Sequence, residues 1–87
     1  MMTHEEVNGM QQWVYGRIEE ILSKSKIVRE DSIADKANEL VTATAIAYAK
    51  EVKKDKEPTQ ELLNFLEERI SIARVLTLIV RHRNMAQ

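Results

Sequence analysis

Turn-forming residues are nearly missing from this chain. Gly9, Gly16 and Pro58 are its only glycines and proline in 87 residues. Strand-rich domains reverse direction every few residues and need such chemistry, so the scarcity points to helices and an all-α class. A chain of this length supports one modest core, and the reading is a single helical domain over residues 1–87. Three helices are expected, at about 3–22, 32–53 and 58–83.

Their starts are legible. Thr3 followed by Glu6 makes a capping box, and Val7, Met10, Val14, Ile18 and Ile21 then recur at spacings of three and four. Gly9 and Gly16 weaken this helix by about 1 kcal/mol each relative to alanine. "SKSKIVRED", residues 23–31, breaks the pattern and reads as a loop. Asp31 or Ser32 caps the second helix, whose stripe is Ile33, Ala37, Leu40, Val41, Thr44, Tyr48 and Val52. Its small side chains between Ala43 and Ala49 allow close approach, which suits a central position. "KKDKE" is a solvated connector, and Pro58 fits the first turn of the third helix.

The third helix poses the main problem. The run "ISIARVLTLIVRHR", residues 70–83, is shorter than the ~20 apolar residues of a membrane span and is interrupted by Arg74. At about 100° per residue, a continuous helix puts Leu62, Phe65, Leu66, Ile72, Ala73, Leu76, Ile79 and Val80 on one broad face. Val75 and Leu78 then fall near the opposite side. A helix apolar all round should be buried all round. Two partner helices leave an excess, so the expectation is a three-helix antiparallel bundle with a long C-terminal helix that forms a homodimer or meets another protein. Trp13, Ile72, Val75, Leu78 and Ile79 are the expected interface.

Charge and motifs narrow the function by exclusion. Thirteen Lys plus Arg against fourteen Asp plus Glu lack the basic excess of a general nucleic-acid binder. There is no cysteine for a disulfide or a Cys-based zinc site. With charged groups at Glu5 and Glu6 and no signal-peptide pattern, a cytoplasmic location is expected. Phosphate loops, nucleophile elbows and HExxH are missing, so no catalytic residue, metal or cofactor is assigned. His4 and His82 lie near opposite ends, and Glu19–Glu20 and Glu67–Glu68 are adjacent pairs that face solvent. Basic groups occur in "KSKIVR", "KEVKKDK" and "RVLTLIVRHR". Arg74, Arg81 and Arg83 are candidate phosphate contacts, although cations at a helix C-terminus also complement its dipole by ~0.3–1 kcal/mol.

One further pattern is specific. Antiparallel packing with turns near residues 28 and 56 brings Gln11, Thr44 and Arg69 to one height, with Tyr48 a turn away. Each of the three interrupts an apolar stripe. The expectation is a polar layer in which Arg69 either snorkels to the edge or pairs with a glutamate. The sharper version makes the layer a small anion pocket or a contact for an acidic partner group.

"IVREDSIADKANEL" resembles the all-helical chorismate mutases, which would imply a dimeric enzyme holding a dicarboxylate with several Arg and Lys. The first helix departs from that pattern, with Arg17 its only strong cation. "DKANELVTATAIAYAKE" and "PTQELLNFLEERI" resemble the small theta accessory subunit of bacterial DNA polymerase, but the spacing between them differs. The chain is assigned to neither family. The expected function is a non-enzymatic protein-binding regulator, adaptor or inhibitor of prokaryotic or phage type. A nucleic-acid-associated regulator using basic helix ends, and a small dimeric helical enzyme binding an anionic ligand, are the alternatives.

Overall fold

Residues 2–25 and 32–85 are described by the computed structural model. Among them the fold is all-helical: α1 (His4–Ser23), α2 (Ile33–Glu51), α3 (Gln60–Glu68) and α4 (Ile72–Met85). Most of the expected 23–31 loop and of the "KSKIVR" cluster lies outside the described residues. No helix among those described is long and apolar enough to cross a membrane.

Local chemistry sets most of the boundaries. The Glu6 N–H donates to Thr3 Oγ1 at 3.1 Å, and the Thr3 N–H donates to Glu6 Oε1 at 3.2 Å, so both halves of the capping box form. Ser32 caps α2 by accepting from the Asp35 N–H. α2 ends at Glu51, two residues short of the expected span, and Val52 is 43% exposed rather than part of the stripe. Thr59, not Pro58, opens α3: its hydroxyl accepts from the Leu62 N–H, and Pro58 sits just before the cap.

α2 lies against α1, α3 and α4, as its small residues suggested. Ala37, Ala45, Ala49 and Thr44 are buried on it beside Leu40, Val41 and Tyr48. Met10, Val14, Ile18 and Leu22 come from α1, Leu66 from α3, and Val75, Leu78 and Ile79 from α4; with Ile70 they form one core.

The long C-terminal helix does not exist as one element. It breaks over Arg69–Ser71 into α3 and α4, with neither glycine nor proline at the break. The reason is phase. Leu66 and Val75 are nine residues apart, about half a turn out of register at ~100° per residue, yet both are 0% exposed. One straight helix cannot turn both toward a single core. Leaving Val75, Leu78 and Ile79 in water would forgo roughly 1.5–3 kcal/mol apiece. Interrupting the ladder loses a few hydrogen bonds with a net value of about 1 kcal/mol each, and several are replaced. The Arg69 carbonyl accepts from Gln11 Nε2 at 2.8 Å, the Ser71 N–H donates to Tyr15 Oη at 2.9 Å, and the Ser71 hydroxyl accepts from the Arg74 N–H at 3.2 Å. Burial wins, and the helix turns a corner.

Candidate docking surface

The corner rotates the buried face of the C-terminal segment: Ile79 stays inside as expected of the broad face, but its neighbours change. Val75, Leu78 and Ile79, expected at an interface, are 0%, 8% and 0% exposed inside a single chain. Of the face expected inside, Ile72 and Val80 are 43% and 41% exposed, Ala73 is exposed and Leu76 is half-buried. Ile72, Leu76 and Val80 are spaced by four residues, so the uncovered apolar groups form a stripe along α4. Leu76, Thr77, Val80, Arg81 and Asn84 line a shallow groove there. Of the other two expected interface residues, Ile72 is the exposed one just named, and Trp13 is half-buried within the chain: it meets Tyr48 edge-on, ring centroids 5.5 Å apart, and Arg17 covers its ring at 4.5 Å.

The polar residues sort differently from the layer expected of them. Gln11 and Arg69 do meet, but through the Arg69 carbonyl rather than its guanidinium. That guanidinium donates to the Phe65 carbonyl at 2.8 Å and lies 3.5 Å over the Phe65 ring, with Glu68 at 3.7 Å and its side chain 36% exposed. This is the snorkelling arrangement, with α3's own C-terminal carbonyl taking the charge. Thr44 is buried, and its hydroxyl donates back to the Leu40 carbonyl at 2.6 Å. Tyr48 is 7% exposed; burial first, and the nearby Glu6 charge second, raise its phenol above the ordinary value. Gln11 and Tyr15, one turn apart on α1, together hold the α3–α4 corner, and Arg74 stacks over the Tyr15 ring at 4.7 Å. Tyr15 and Ser71 were not singled out in the sequence. The phase jump of the apolar pattern across Ser71 was the available signal.

The arginines expected near phosphate have separate surroundings. Arg74 is exposed but laid on Tyr15, and Arg83 is half-buried. Arg81 is exposed between the α4 groove and a cleft of about 320 Å³ that Leu22, Leu78, His82 and Met85 help to line. Across α1 and α2, Arg17 grips Glu51 with two bonds of 2.6 and 3.0 Å. Hydrogen bonding to Arg17 holds the Glu51 carboxyl below its usual range, and the same bond raises the Arg17 pKa.

A second groove runs along the outer side of α2, lined by Asp35, Asn38, Glu39, Thr42, Ala43 and Ile46. It joins two carboxylates to two apolar groups, whereas α4 contains no acidic residue at all. Among the described residues, no three His, Cys, Asp or Glu side chains are grouped to hold a metal ion. No family model matches the chain, and neither a curated protein nor a solved structure matches it significantly.

Proposed function

We propose that this chain is a non-enzymatic protein-binding protein, a regulator, adaptor or inhibitor, that recognises its partner on the outer face of α4. The observation that carries the reading is the stripe Ile72, Leu76 and Val80, left uncovered after the other side of α4 has entered the core. Apolar side chains scattered singly over a surface need no explanation. Three in line along two turns of one helix, with Ala73 beside them and Arg74 and Arg81 along one edge, match the anchor spacing of helix-mediated recognition. Nucleic acid is the competing partner, because α4 pairs three arginines with no acid. It is the weaker reading. The whole chain carries a net charge of −1, and Arg74 is occupied by Tyr15.

A photo-crosslinking amino acid placed at Val80, with exposed Asn8 on α1 as the control position, tests this in the native cell. The expected result is a protein adduct from position 80 alone that disappears with Leu76→Glu. Adducts to nucleic acid, or the same adducts from both positions, would overturn it.

A further inference from the structure

Resting on that reading of α4, we infer that the outer face of α4 docks on the outer face of α2 in a second copy of this chain, giving a charge-matched homodimer. The two surfaces complement each other in three respects. In charge, α2's groove presents Asp35 and Glu39, while α4's presents Arg81, with no acid anywhere on the helix. Neither Asp35, Glu39 nor Arg81 has an ion-pair partner within the chain among the described residues. The two cations of α2, Lys36 and Lys50, lie outside the set that lines its groove.

In apolar content, Ala43 and Ile46 on α2 face out beside the acids, as Leu76 and Val80 do beside Arg81. Ala43 lets a second helix come close. In register, α2's acids precede its apolar pair, and α4's Arg81 follows its apolar pair. Antiparallel packing with Arg81 level with Glu39 leaves Asp35 one turn beyond, sets Val80 between Glu39 and Ala43, and lays Leu76 over Ala43 and Ile46. Glu39 to Ala43 spans ~6 Å and Arg81 to Leu76 ~7.5 Å along their axes, so the two patterns run in step. The same orientation opposes the two helix dipoles.

The competing self-contact, α4 on α4, pairs two helices that carry arginines and no acid of their own, and like charges at an interface repel. The α4–α2 contact has no such conflict. In the proposed dimer a two-fold axis relates two such contacts, each copy contributing its α4 face to one and its α2 face to the other.

Sedimentation equilibrium of the full chain, loaded up to about 500 µM to reach weak contacts, reads the pairing directly. The unmodified chain is expected to approach twice its 10.1 kDa mass and to dissociate as salt rises. Arg81→Glu and Glu39→Arg should each weaken association by at least about tenfold. An equimolar mixture of the two variants should recover it to within about threefold, because both contacts of the mixed pair are again complementary. Arg81 and Glu39 are exposed helix positions, so both variants keep the fold, which circular dichroism checks. A monomer at the highest concentration overturns the pairing, as does a salt-insensitive dimer of the unmodified chain, a measurement that needs no variant. Glu39→Arg behaving like the unmodified protein removes α2 as the counterpart. A monomer that still yields the Val80 protein adduct refutes this dimer while leaving the protein-binding reading in place.

Discussion

Val75 and Val80 are the same residue on the same helix, and only the corner at Arg69–Ser71 decides which one is inside. Changing each to alanine in turn therefore isolates burial. Val75 is 0% exposed. Removing its two methyl groups forgoes about 1.6 kcal/mol of transfer energy plus roughly 0.5–1 kcal/mol for the cavity left behind. The better helix propensity of alanine returns about 0.5 kcal/mol. The net loss is then about 1.5–2 kcal/mol. Val80 is 41% exposed, so its truncation loses less transfer energy and leaves no hole. The same propensity gain brings it to about 0–0.5 kcal/mol. For a chain of this size the Val75 change should lower Tm by roughly 6–16 °C, and the Val80 change by a few degrees at most. Thermal and urea melts by circular dichroism, run on dilute protein so that association does not contribute, give both values. A larger loss at Val80 than at Val75 would refute the reasoning, because it would restore the straight helix with Ile72, Leu76 and Val80 inside.

The corner itself is open to test. Tyr15→Phe removes the acceptor for the Ser71 N–H and Gln11→Ala the donor to the Arg69 carbonyl, each expected to cost about 0.5–1.5 kcal/mol in urea unfolding. Because both bonds hold one turn of chain, the double variant should depart from additivity by at least about 0.5 kcal/mol; two neutral or strictly additive changes would dismiss the clamp. Glu51 gives a pH signature: its folded-state pKa lies below the ordinary 4.5, so pairing with Arg17 contributes stability above that value and loses it as pH falls through the lowered one. Urea midpoints of the unmodified chain and Glu51→Gln should differ at about pH 7, and the gap should narrow as pH falls below the ordinary carboxylate value; a constant gap down to the acid limit of folding would show that the carboxylate is not the cause.

The starts of α1 and α2, where a side chain reaches its own backbone, were readable in the sequence, whereas the same kind of cap at Thr59 was passed over for Pro58. Thr3 with Glu6, and Ser32 before Ile33, are contacts three residues apart, and no distant part of the chain is needed to form them. The stripes of α1 and α2 were readable for a related reason. Met10, Val14 and Ile18, and Ala37 through Tyr48, keep one phase along one uninterrupted helix, so the pattern and the core agree. The C-terminal segment carries two phases. Leu66 and Ile70 point one way, Val75, Leu78 and Ile79 the other, and local chemistry permits two solutions: a straight helix covered by a partner, or a bent one that covers itself. Without a glycine or proline at the junction, nothing nearby in the chain chooses between them. The choice lies in contacts 56 and 58 residues away in sequence, where Tyr15 and Gln11 satisfy the opened backbone, and in the core that α1 and α2 offer to Val75, Leu78 and Ile79. The same tertiary decision moved Arg69's guanidinium onto Phe65, dissolved the expected polar layer and turned Ile72, Leu76 and Val80 outward. Apolar periodicity alone dictated that apolar surface would be left over on the C-terminal segment, and the packing of four helices chose which side of α4 carries it.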